Sequence, residues 1–242
     1  MTSPAARLDF ADGAALAEAF ADWTADRLRQ AIEARGKALL VVSGGTTPRR
    51  YFSALSTRQL DWRRVFVTLA DERRVPDDSA RSNARMVRET LLLDRASAAQ
   101  FTPLAYSQLS AEEELAAANA RVAQLPLPAD LAVLGMGDDG HTASWFPGAV
   151  GLLQLVDQEA KALVMAVSAP GAAEPRLTLS GRAILQAKAL ALHIEGGAKL
   201  AVFAEAMQPG DVADMPIRAV LRGAADRLTI FAAARIGAPA DS

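Results

Sequence analysis

The sequence predicts an α/β protein, a mostly parallel sheet with helices on both faces, and three observations carry that expectation. Short apolar runs at 39–42, 64–70 and 131–134 alternate with segments of helical periodicity, the order of right-handed β-α-β units. The runs are apolar almost throughout rather than at every second residue, as strands covered on both faces must be. Each then stops at glycine or at charged residues. Polar groups therefore collect beyond the strand ends, where open parallel sheets bind their ligands.

In chain order, residues 13–35 are alanine-rich, with Leu16, Phe20, Trp23, Leu28 and Ile32 at broadly helical spacing and Gly36 placed as a C-terminal cap. Leu39 to Val42 form the first strand. Gly44, Gly45 and Thr46 follow it, and Thr47 and Pro48 stand where the next helix begins. Backbone N–H groups of such a loop can approach an anion unobstructed, and the positive end of the following helix dipole favours that anion. An ordinary turn before a Pro-started helix explains the same residues, and the two readings stand level. After the run at 64–70 come Asp71, Glu72 and Arg73, expected beyond the strand end like the glycine loop. A solvated ion pair and a functional pair are equally good accounts of them. Ser82 is placed to cap a helix to about Leu92, and Ser110 with Glu113 forms a capping box for another to about Leu125. Pro126 and Pro128 punctuate the chain before the next strand.

The segment 130–147, DLAVLGMGDDGHTASWFP, holds one of the two histidines and the densest glycine and aspartate punctuation. Leu131 to Leu134 read as a buried strand, and Asp138, Asp139 and His141 lie just beyond it. Gly135 to Gly140 literally match G-x-G-x-x-G, but a dinucleotide pyrophosphate wants bare N–H groups and a long helix, not two carboxylates and an early proline. Carboxylate against phosphate at about 4 Å costs roughly 1–4 kcal/mol, enough to reject the site. Asp138 and Asp139 suit holding His141 in one tautomer, or binding sugar hydroxyls. His141 has no metal-ligand partner at i+3 or i+4 and the chain has no cysteine, so zinc is not expected. A general base is the favoured role for His141, with a loop-stabilising donor as the alternative.

Residues 162–167 read as another strand, after which Pro170 and Gly171 turn the chain into PRLTLSGRAIL. Arg176 opens that stretch. It could clamp a phosphate bidentately, although spacing alone favours a surface salt bridge. Residues 189–194 form a strand in which His193 is expected to pack half-buried. Gly196, Gly197 and Lys199 follow before a helix to about Met207, and Lys199 is a second candidate phosphate clamp. A short helix near Pro216 and a last strand at 227–232 complete the pattern. Trp145 and Phe146 are expected in the core rather than in a pocket wall.

Composition limits the function classes. The 242 residues suffice for one large α/β domain or two small ones, and 51% hydrophobic with 22% charged residues reads as globular. No apolar run approaches the roughly 18 residues of a membrane span, so no membrane partner is expected. A net charge of −2 gives no footprint for nucleic acid, so any phosphate recognition must be local. The absence of cysteine removes disulfides, thiolate nucleophiles and cysteine metal sites. The N-terminus lacks a basic start followed by an apolar core, and a cytoplasmic location is expected. No feature of the sequence marks an oligomeric state.

The segments SGGTTPRRYF, LADERRVP, SNARMVRETLL, GMGDDGHTASWFPG, PRLTLS and GGAKL, in this order, resemble the 6-phosphogluconolactonase family over nearly the whole chain. The resemblance implies hydrolysis of 6-phospho-D-glucono-1,5-lactone to 6-phospho-D-gluconate in the oxidative pentose phosphate pathway, with no metal or organic cofactor. It also implies one Rossmann-like α/β domain spanning 1–242, of a fold shared with glucosamine-6-phosphate deaminases. Carried over by position, it puts the base on His141, the acidic and basic active-site pair on Asp71 and Arg73, and the phosphate contacts on Gly44, Gly45, Thr46, Arg176 and Lys199. A lactone carbonyl is already electrophilic, so a base for water and donors at the developing oxyanion, Arg73 or nearby N–H groups, suffice without a covalent intermediate. Ser144 as nucleophile is the rival, but it lacks the G-x-S-x-G elbow. Two other classes are a sugar-phosphate isomerase or deaminase and a catalytically silent sugar-phosphate sensor. The deaminases carry a ring-opening glutamate where this chain has Phe146, and the retained histidine loop speaks against the sensor.

Overall fold

The apolar runs form the centre of the sheet. The computed structural model describes residues 5–105, 109–169 and 173–236. Its strands are β1 (Ala6–Phe10), β2 (Ala38–Val42), β3 (Val65–Leu69), β4 (Asp71–Arg73), β5 (Gln100–Thr102), β6 (Leu131–Leu134), β7 (Val164–Val167), β8 (Arg176–Leu179), β9 (Leu190–Glu195) and β10 (Leu228–Ala233). Its α-helices are α1 (Gly13–Arg35), α2 (Arg49–Ser56), α3 (Asn83–Thr90), α4 (Ala111–Ala123), α5 (Leu152–Leu155), α6 (Gly181–Leu185), α7 (Gly197–Ala206) and α8 (Ile217–Gly223). Seven strands, in the order β1-β10-β9-β6-β2-β3-β5, pair in parallel throughout. Every residue of β2, β6 and β9 is buried, so helices cover both faces of the sheet's middle.

The strand order places the ligand crevice. From β2 the chain runs outward one way through β3 to β5, and from β6 the other way through β9 to β10, so the direction reverses between the neighbours β2 and β6. Open α/β sheets bind ligands at the carboxyl ends of the strands flanking such a reversal. The glycine loop follows β2 and the histidine loop follows β6.

Local signals were good guides to the helices. Asp12 caps α1 by accepting from Ala14 and Ala15 N–H, and Gly36 ends it with φ of 76°, its N–H donating to Ile32 O. The Ser82 hydroxyl accepts from Arg85 N–H, and Ser110 with Glu113 forms the complete capping box. α1 and α2 pack together, Phe20 stacking at 4.1 Å on both Tyr51 and Phe231. Truncating such a ring to alanine costs roughly 3–5 kcal/mol.

Three features depart from the expectation. The edge strands β1 and β5 carry no apolar run, because an edge strand is only partly covered. Residues 71–73 are a strand rather than a loop. β4 leaves β3 after a single residue and joins an antiparallel sheet of order β4-β8-β7, with Asp71 opposite Thr178 and Arg73 opposite Arg176. Arg176 correspondingly begins a strand instead of following one. The turn expected at Pro170 and Gly171 lies outside the described residues.

Candidate active site

The glycine loop owes its shape to two different constraints. Gly45 has φ of 99°, a conformation side chains rarely adopt, whereas a Cβ on Gly44 would lie 1.9 Å from Asn83 Oδ1. Asn83 opens α3, and its Nδ2 donates to Asp71 O at 2.9 Å while its Oδ1 accepts from Arg73 Nη1 at 3.0 Å. One buried amide thus ties together the glycine loop and the Asp71–Arg73 strand. The sequence reading missed Asn83, assigning that helix start to its cap Ser82 alone.

Strand alternation in β4 sorts its three side chains. Asp71 and Arg73 line a cavity, and Glu72 turns away to α3, accepting from the N–H groups of Arg73, Asn83 and Ala84 at 2.7–2.8 Å. Burial pushes the Glu72 carboxyl above its ordinary range, opposed by those hydrogen bonds. Glu72 is therefore a structural cap for α3. Asp71 is also buried, and its Oδ2 accepts from Ser144 Oγ at 2.5 Å and lies 3.5 Å from Arg176 Nη1. Ser144 is wholly buried and its hydroxyl donates to Asp71, which supports that carboxylate.

Arg176 is not the surface salt bridge that its spacing favoured. Its side chain is 12% exposed, its guanidinium stands 5.1 Å from the centre of the Phe146 ring, and its Nε is buried without a partner. Burial lowers its pKa and Asp71 acts against that fall. Lys199 lies inside the first turn of α7 rather than ahead of it, with Nζ 3.4 Å from Thr47 Oγ1 at the start of α2.

The histidine loop is closed on itself and against α8. Gly137 N–H donates to His141 O at 2.9 Å, Thr142 Oγ1 to Gly135 O at 2.8 Å, and Ile217 N–H to Gly140 O at 2.9 Å. Gly140 takes φ of 75°, and a Cβ on Gly137 would stand 2.1 Å from the His141 ring. Asp139 Oδ1 accepts the His141 N–H at 3.0 Å and lies 2.5 Å from its Nδ1. Partial burial works to raise the Asp139 pKa, but the hydrogen bonds from His141 outweigh it and hold this carboxyl below its ordinary range. An ionised carboxylate can only accept, so Nδ1 carries the proton and the neutral ring keeps its lone pair on Nε2. Asp139 alone fixes the tautomer. Asp138 makes no such contact with His141 and, with Asp139, lines a separate depression beside Asp214, Glu205 and Arg218.

The two loops, β4, β8 and the start of α7 enclose a cavity of about 230 Å³ lined by Gly44, Gly45, Thr46, Asp71, Arg73, His141, Arg176 and Lys199, every residue carried over by the resemblance. That is room for one sugar-sized molecule, not a dinucleotide. Arg73, Arg176 and Lys199 outnumber the one carboxylate, Asp71, so the cavity suits an anion. Phe146, buried as expected, still serves the site, since its ring centre lies 4.5 Å from that of His141. His193 differs from its expectation. It is fully rather than half buried and lines the same cavity. Among the described residues no group of three His, Asp or Glu side chains is arranged to hold a metal ion.

Comparison with known proteins finds relatives over nearly the whole chain. A family model described as glucosamine-6-phosphate isomerases/6-phosphogluconolactonase matches residues 11–230. A 6-phosphogluconolactonase of Rhizobium meliloti is 50% identical over 222 residues, covering 92% of this chain and 96% of the relative. One from Mesorhizobium japonicum is 47% identical over 222 residues, 92% of each chain. The crystal structure of a 6-phosphogluconolactonase from Shewanella baltica superposes with a TM-score of 0.90 at 41% identity, covering 97% of this chain and 99% of the other.

Proposed function

The chain belongs to the family of glucosamine-6-phosphate isomerases and 6-phosphogluconolactonases, and on that premise we propose that it is a single-domain lactonase. It hydrolyses 6-phospho-D-glucono-1,5-lactone to 6-phospho-D-gluconate in the oxidative branch of the pentose phosphate pathway. His141 Nε2 takes a proton from water as the water attacks the lactone carbonyl, and Asp139 stabilises the imidazolium so formed. Arg73 or a nearby N–H group donates to the developing oxyanion, while Asp71 holds Arg176 in place for the phosphate. The 6-phosphate seats on the N–H groups of Gly44, Gly45 and Thr46 with Lys199 beside it, and its binding energy orients the ester for attack.

The observation that carries this reading is the tautomer of His141: Asp139 occupies Nδ1, so the basic nitrogen is the one left for the anion-binding cavity. The test is to supply lactone freshly generated by glucose-6-phosphate dehydrogenase and follow its decay with and without the protein. Strong acceleration is expected, and no acceleration over the spontaneous reaction would sink the proposal. Deamination of glucosamine 6-phosphate is not expected, because buried Phe146 cannot relay a proton to open a sugar ring. Enzyme-dependent ammonia release from that sugar would overturn the distinction.

A further inference from the structure

The second histidine lies in the wall of the same cavity, and no step above uses it. His193 sits on the face of β9 that packs beneath α1 and α2, where its ring meets Phe20 and Tyr51 edge-on at 5.5 and 6.0 Å. Its Nε2 is 2.9 Å from Glu195 Oε1, and a carboxylate only accepts, so Nε2 carries a proton. Its Nδ1 is buried and has no hydrogen-bond partner. A buried ring nitrogen left unpaired is costly unless a ligand or water fills the role.

The pair is built in rather than incidental. A Cβ on Gly13 would lie 2.1 Å from Glu195 Oε2 and 2.9 Å from Arg50 Nη1, so α1 begins with glycine where this carboxylate must fit. The positive end of the 23-residue α1 favours the charge placed there. The ring shares its cavity with the glycine loop and Lys199. Titratable or charged groups on the packed elements include Tyr51 and Arg50 of α2 and Asp12 ahead of α1, beside Arg235, with Asp71, Arg73, Arg176 and His141 lining the same cavity.

We propose that His193, backed by Glu195, is a phosphate-reading residue: it takes up a proton when a phosphate seats on the glycine loop and donates from Nδ1 to that anion. The inference rests on the phosphate position proposed above. With Nε2–H committed to Glu195, a neutral ring offers the anion only a lone pair, whereas the imidazolium offers an N–H. Imidazole changes charge at ordinary pH, so this contact makes phosphate affinity fall as pH rises, which the always-charged Arg176 does not do.

Calorimetry of inorganic phosphate and of 6-phospho-D-gluconate, with gluconate as the unphosphorylated control, tests this in buffers of different ionisation enthalpy. The ligand's own titration is common to all proteins compared. Wild type should take up more protons than His193→Phe, and the variant should bind both phosphorylated ligands about tenfold more weakly below neutral pH. Its KM for the phosphorylated lactone should rise by the same factor with kcat kept, and KM for unphosphorylated gluconolactone should not move. Glu195→Gln should fall between. Equal affinity and equal proton uptake in a folded His193→Phe would overturn the proposal, as would a neutral ring that merely accepts from a water. Should His193→Phe fail to fold, Glu195→Gln decides by the same two readings. A wild type without lactonase activity whose phosphate binding depends on His193 would sink the function and leave this inference standing, while no phosphate binding at all overturns both.

Discussion

Each of the two histidines stands two residues from a carboxylate, and the two pairs are otherwise opposites. His141 meets Asp139 through Nδ1 on a glycine-shaped loop, with its side chain 30% exposed. His193 meets Glu195 through Nε2 inside a strand, with its side chain 3% exposed. The carboxylate sets which nitrogen is left over, and the element that carries the ring sets what that nitrogen can reach. On the loop it can reach water and a reacting carbonyl. Within the strand it can reach only what enters the cavity floor. On the proposed reading, the same pairing of histidine with a carboxylate two residues away serves proton transfer in one place and binding in the other.

The sharpest way to break this contrast is His141→Gln, which keeps a hydrogen-bonding side chain but supplies no comparable base. Its kcat should fall roughly 10²- to 10⁴-fold with KM within a few-fold. A loss confined to KM would place His141 with the binding residues and erase the distinction. Next in size are Arg176→Ala and Lys199→Ala, each removing a charge-assisted contact worth roughly 1.5–3 kcal/mol, about 10- to 150-fold in KM for the phosphorylated lactone. Kinetics on lactones with and without the 6-phosphate check this, since an equal penalty on both would mean that neither residue reads phosphate.

Asn83→Ala should lower activity less, only a few-fold, through looser Arg73 and Asp71, while the lost hydrogen bond from the charged Arg73 guanidinium costs roughly 1.5–3 kcal/mol of stability. It also sharpens the account of the glycine loop. Gly44→Ala should be badly tolerated in the wild type, where Asn83 fills the Cβ position, and much better tolerated in Asn83→Ala. Thermal unfolding of the two single variants and the double variant reads that coupling. Strictly additive losses would show that Asn83 is not what keeps residue 44 a glycine.

How much of this was legible in the sequence depended on where each signal resides. The middle strands carried it themselves, because strands covered on both faces must be apolar throughout. Gly36, Ser82 and Ser110 marked helix ends by local chemistry. The edge strands β1 and β5 left no such mark. The antiparallel sheet was invisible because 71–73 and 176–179 lie over a hundred residues apart, and nothing local says that charged residues there will pair as strands. For the same reason Arg176 read as a surface residue until β4 and Phe146 enclosed it. The glycine and histidine loops were visible as punctuation, yet their convergence came from the reversal of strand order between β2 and β6. Asn83 was hidden behind its own cap, and His193 looked like packing because its partner Glu195 matters only once Gly13 admits it.

The central claim is that proton transfer belongs to His141, and the pH–rate profile of kcat tests it most directly. Hydrogen bonds from His141 hold Asp139 below the ordinary carboxylate range, so Asp139 stays ionised as pH falls through the range in which imidazoles titrate. An acid limb in that range therefore does not report this carboxylate, and its loss in a histidine variant is what assigns it. Measured from acidic to neutral pH with the spontaneous hydrolysis subtracted, wild-type kcat should fall on the acid side as the base takes up its proton. The limb should vanish from the residual activity of His141→Gln. A folded His141→Gln with near wild-type turnover and the same acid limb would contradict the account and make Asp71 the first candidate for the base.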